Sequence, residues 1–82
     1  MLMEKQYIGQ CEIPNMTIRY YMIKQGTYYG VELVEEQRDK LICMSELISE
    51  VAEVALSLAE KLFKNNVTTV TLTDIIDDWI GW

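Results

Sequence analysis

The stretch Met16-Thr17-Ile18-Arg19-Tyr20-Tyr21-Met22-Ile23-Lys24-Gln25-Gly26-Thr27-Tyr28-Tyr29-Gly30-Val31-Glu32-Leu33-Val34-Glu35 decides the fold. Aliphatic and aromatic residues crowd both sides of Gly26, which is the composition of a β-hairpin. Taking Gln25-Gly26 as a two-residue loop gives the glycine the positive φ that tight hairpin turns need, and sets every pairing. Lys24 then faces Thr27, Met22 faces Tyr29, Tyr20 faces Val31 and Ile18 faces Leu33. The two-residue period of a strand puts the last three pairs, all apolar, on one face. The other face holds Arg19 opposite Glu32, Thr17 opposite Val34, Ile23 opposite Tyr28 and Tyr21 across from Gly30. A one-residue slip would turn Arg19 and Glu32 into the apolar side, so the alternation ties each residue to its face.

Working outward, Pro14-Asn15 is a turn signal, and Tyr7 to Ile13 supply a preceding strand. Ile13 pairs with Met16, Cys11 with Ile18 and Tyr7 with Met22, although Gly9 and Gln10 weaken the pattern. Downstream, the polar run Glu35-Glu36-Gln37-Arg38-Asp39 makes a turn. Lys40 to Met44 return as a short strand with Ile42 and Met44 on the core face. The expectation is an antiparallel β-meander of three to four strands over about residues 5–44.

The period then changes. Val51, Ala52, Ala55, Leu58, Ala59, Leu62 and Phe63 fall at i, i+1, i+4, i+7, i+8, i+11 and i+12, a wide helical stripe. This predicts one long helix over about 46–65 covering the sheet. Ser49 is its N-cap, with Ser45 as an alternative, and Glu50 and Glu53 suit the positive end of the helix dipole. Asn65-Asn66 stop it in the left-handed conformation. After a threonine-rich connection, Leu72, Ile75, Ile76 and Trp79 predict a short amphipathic helix over 72–80, ended by Gly81. The fold class is α+β, in one domain.

The run Asn65-Asn66-Val67-Thr68-Thr69-Val70-Thr71-Leu72-Thr73-Asp74-Ile75-Ile76-Asp77-Asp78-Trp79-Ile80 resembles the C-terminal signature of an uncharacterised family of small Firmicute proteins, a domain of unknown function. Tyr20-Tyr21 and Tyr28-Tyr29-Gly30-Val31-Glu32 resemble the same family's N-terminal half. Thr69 stands where those proteins often carry proline. The resemblance implies a bacterial cytosolic source and supplies no active site.

Composition narrows the function classes. The 82 residues carry 13 acidic and 7 basic side chains, a net charge of −6. Nucleic-acid affinity comes largely from Lys and Arg neutralising phosphates, so neither nucleic acid nor an anionic membrane is an expected partner. No stretch approaches the ~20 apolar residues of a membrane span. The Met1–Tyr7 start lacks the pattern of a signal peptide. A cytoplasmic location follows as the expectation, with Cys11 and Cys43 as ordinary reduced, buried or half-buried thiols.

The chain has no histidine, which removes the commonest general base and zinc ligand. No glycine-rich phosphate loop is present either, and neither a catalytic residue nor a cofactor is expected. Asp74, Asp77 and Asp78 lie on one side of the short helix. They read as a solvated acidic face, or alternatively as oxygen ligands for a divalent cation in a metal-binding protein or metal-dependent hydrolase. A further alternative is an acidic regulator of a basic protein partner. The leading candidate is the sheet face turned away from the long helix, with Tyr21, Ile23, Tyr28 and Val34. Such a face is more apolar than water requires and suits a protein contact, unless the C-terminal helix or Trp82 covers it. The reading is a non-enzymatic protein-interaction module whose partner is itself, as a homodimer, or another protein.

Overall fold

The computed structural model describes residues 4–68 and Leu72. Four strands, β1 (Glu4–Ile13), β2 (Met16–Gln25), β3 (Tyr28–Gln37) and β4 (Leu41–Ser49), precede a helix, α1 (Ala52–Lys64). The strands form one antiparallel sheet in the order β1-β2-β3-β4, an unbroken meander. The helix packs on one face of that sheet and touches every strand. Its stripe works as the spacing demands: Leu58, Ala59 and Leu62 are buried against Ile18, Tyr20, Val31 and Leu33, and Ala55 is buried as well. The fold is therefore α+β.

The central hairpin turns one residue later than the sequence reading has it. Gln25 pairs with Tyr28, so the loop is Gly26-Thr27 rather than Gln25-Gly26. Gly26 has φ +64, and Thr27 is not in the left-handed region. Positive φ at the first loop residue alone is the type II′ arrangement, which favours glycine there. Each β3 partner therefore moves by two positions: Met22 meets Val31, Tyr20 meets Leu33 and Arg19 meets Val34. A two-residue slide leaves every side chain on its original face. The expected Arg19–Glu32 pair does not form. Arg19 Nη2 lies 3.0 Å from Glu36 Oε1 instead, and Glu32 pairs with Lys5.

Strand β1 begins as expected, with Ile13 against Met16 and Cys11 against Ile18 across the Pro14-Asn15 turn. Asn15 takes φ 70 there. A bulge between Tyr7 and Gly9 then shifts the register, so Tyr7 pairs with Tyr21 and not with Met22. The extra residue moves Tyr7 to the face away from α1. Gly9 is the reason the sheet accepts the helix here, because a Cβ at that position would sit 2.7 Å from Phe63 Cζ.

The largest correction concerns β4. It runs to Ser49, not to Met44, and α1 starts at Ala52 rather than near residue 46. β3 is long enough to pair with β4 up to the Tyr29–Ser49 pair, and backbone pairing outweighs the weak helical pattern of 46–49. Val51, not Ser49, occupies the N-cap, while Ser49 Oγ accepts the Val51 N–H at 3.0 Å. The helix ends as its asparagines predict. Asn66 has φ 52, and its N–H donates to the Phe63 carbonyl while the Val67 N–H donates to the Leu62 carbonyl. These are the two bonds of a Schellman motif. Leu72 is buried in the core, whereas the remainder of the expected 72–80 helix lies outside the described residues.

Candidate interaction surface

With α1 on one side, the pairing places Lys5, Tyr7, Arg19, Tyr21, Ile23, Glu32, Val34, Cys43 and Leu47 on the opposite face. Tyr28, beside Gln25, joins them at the hairpin end. The four side chains expected on this face are thus on it, but they are not equally available. Tyr28 is 45 % exposed, Tyr21 and Val34 are half-buried, and Ile23 is 1 % exposed. Ile23 is packing, not contact surface. Tyr7, which the sequence reading assigned to the other side, takes its place at 53 % exposure.

The centre of the face is a small aromatic and ionic assembly. The Tyr7 and Tyr21 rings meet edge-on at 5.7 Å between centroids. Lys5 Nζ stands 5.5 Å above the Tyr21 ring and 2.6 Å from Glu32 Oε1. At that distance the ammonium and the carboxylate form a close ion pair. Glu32 lies almost wholly out of water, and its carboxylate holds the Lys5 ammonium above the ordinary lysine range. Arg19 and Glu36 neutralise each other nearby. Two charge pairs, Lys5 with Glu32 and Arg19 with Glu36, thus lie on this face, which carries the polar Gln10, Glu12, Thr17 and Ser45 beside its aromatic and aliphatic side chains.

Apolar exposure continues to the β4 margin, where Leu41 is 64 % exposed and Ile42, Leu47 and the following Val51 are also exposed. Cys43 is an exposed free thiol there, a departure from the expected half-buried one; Cys11 is half-buried on the core face. Sequence reasoning missed this margin because it assigned residues from about 46 onward to the helix.

Two other arrangements offer less. A shallow cleft of about 360 Å³ lies between Asn15 and the β3–β4 turn, lined by Gln37, Arg38, Asp39 and Lys40. Its mixed charges gather no nucleophile beside a base. Among the described residues no group of three or more Cys, Asp or Glu side chains is placed to hold a metal ion. Asp74, Asp77 and Asp78 lie outside the described residues. No helix among the described residues is long and apolar enough to cross a membrane.

Among the described residues, a four-stranded meander backed by one helix, with exposed tyrosines on its second face, defines a small α+β sheet-and-helix domain. The chain belongs to the family described as Family of unknown function (DUF6514), whose family model matches residues 1–81. No curated protein and no solved structure matches it.

Proposed function

We propose that this protein is a non-enzymatic, cytoplasmic protein-interaction module whose partner is a second copy of itself. The reading rests on one observation: α1 shields a single side of the sheet, while the other side leaves Tyr7, Tyr28, Leu41 and Leu47 in water. Isolated exposed hydrophobics are ordinary on a protein surface, but a connected set rimmed by matched charges marks a contact site. The surface comprises Tyr7, Tyr21, Tyr28 and Val34 and continues to Leu41 and Leu47; Ile23 supports it from beneath. A small chain has a limited interior of its own, so association also adds the buried apolar area that a domain of this size is short of. Multi-angle light scattering tests the reading. The expected mass is twice the 9.6 kDa of one chain. A single-chain mass across the micromolar range would remove it.

A further inference from the structure

The face turned away from α1 holds an assembly that does more than join two surface charges. Pairing on either side of β2, after the bulge at Tyr7/Gly9, sets Tyr7, Tyr21 and Glu32 in one row across β1, β2 and β3. Lys5 lies one row away on β1, yet its ammonium crosses β2 to reach a carboxylate two strands off. It stands 5.5 Å from the centroid of the Tyr21 ring and 2.6 Å from Glu32 Oε1. The Tyr7 ring meets Tyr21 edge-on, 5.7 Å between centroids, and so braces it. Ordinary surface ion pairs join two flexible, hydrated side chains and contribute little. Here one partner is held out of water, because the Glu32 side chain is only 10 % exposed. A carboxylate in that position is costly unless a cation accompanies it.

An aromatic ring beside a desolvated carboxylate is the chemistry that recognises an alkylammonium ion. The ring face attracts the cation, and the carboxylate accepts its N–H donors. From this arrangement we infer that Tyr7, Tyr21 and Glu32 form a binding site for a primary alkylammonium group, which Lys5 occupies as an internal stand-in. The Lys5 side chain is 46 % exposed, so among the described residues the site is reached from solvent and not sealed. It selects by donor and by size. An –NH3+ group brings three donors and a compact charge to Glu32, whereas a trimethylammonium brings no donor and holds its charge further off. The tethered lysine competes at a high effective concentration, so an outside amine binds a chain without Lys5 more tightly than the native one. A free amine and the lysine side chain of a partner present the same group. The site is complete within one copy and goes beyond the homodimer reading without depending on it.

The test is n-butylammonium, which replaces the end of a lysine side chain, titrated into full-length Lys5→Ala at constant ionic strength. Amide NMR shifts at Tyr7, Tyr21 and Glu32 report binding, and circular dichroism confirms the fold. Lys5→Ala should saturate with a dissociation constant on the order of 1 mM, and the native chain should bind roughly tenfold more weakly or less. Tetramethylammonium and uncharged n-butanol should also bind roughly tenfold more weakly or less. Adding Glu32→Gln to Lys5→Ala should abolish saturation, and adding Tyr21→Leu should weaken it several-fold. Nα-acetyl-lysine amide separates the two sources: binding like butylammonium assigns the site to protein lysines, and binding by butylammonium alone assigns it to free amines. Should Lys5→Ala fail to fold by itself, refolding by butylammonium and not by butanol is the supporting result, and refolding by neither overturns the site. Shifts that never saturate in folded Lys5→Ala, or an affinity unchanged by Glu32→Gln, also overturn it. These shifts are read whatever the mass of the protein, so the homodimer reading stands or falls separately.

Discussion

Three residues carry more of this fold than their size suggests. Gly30 lies at the register shift between β3 and β4, and a Cβ there would fall on the carbonyl oxygen and carbon of Glu46. Because backbone rather than a flexible side chain is in the way, Gly30→Ala should cost more than about 3 kcal/mol in urea unfolding; a loss below about 1 kcal/mol would contradict the packing described. At Gly9 the obstacle is the Phe63 ring, which can shift, so Gly9→Ala should cost about 1–3 kcal/mol by the same assay. Tyr20 is wholly buried, with its hydroxyl donating to the Val67 carbonyl at 2.8 Å. Burial, aided by the negative charges of Cys11 and Glu35, pushes its pKa from 10.0 up to about 12. The folded protein therefore keeps a proton that the unfolded chain has lost between those values. Stability should be full below pH 10 and fall as pH rises to about 12, by about 3 kcal/mol in total. Tyr20→Phe should cost about 1–2 kcal/mol at neutral pH and remove this alkaline decline relative to the native chain. Parallel pH profiles for the two would refute the assignment.

At the scale of elements, the side-chain faces of the central hairpin were readable from the sequence and partner identities were not. The alternation in Ile18, Tyr20, Met22 and Val31, Leu33 assigns faces whichever side of Gly26 the loop falls on, because moving the loop by one residue slides the pairing by two. The clue to the right loop was chemical: a glycine followed by Thr27 fits type II′, where only the first residue needs positive φ. The bulge at Tyr7/Gly9 left only a faint trace, Gly9 itself, at which a Cβ would meet the Phe63 ring of α1. The start of α1 was misplaced for a similar reason. Leu47 and Ile48 suit a helix or a strand equally, and the deciding factor is the length of β3 available to pair with them. Extending the helix over these residues hid the β4 margin, and with it part of the candidate surface. The helix stop was legible because it is local. Asn66 tolerates φ 52 and lets Val67 turn back into the core. Asn66→Ala should therefore lower stability by about 1 kcal/mol in thermal or urea melts, and Asn66→Gly should not.

For the molecule as a whole, net charge and apolar exposure pull in opposite directions. A charge of −6 keeps copies apart at long range, while the exposed Tyr7, Tyr28, Leu41 and Leu47 side chains favour the proposed self-contact. Raising the salt concentration should tighten the proposed dimer, since screening weakens the overall repulsion more than it weakens apolar contact; the check is the dissociation constant measured across an ionic-strength series. The proposed contact face is tested most directly by multi-angle light scattering of Tyr28→Glu beside the native chain, with circular dichroism confirming that both are folded. The native chain should have twice the mass of one chain and Tyr28→Glu the mass of one chain. Equal masses for the two would contradict the account.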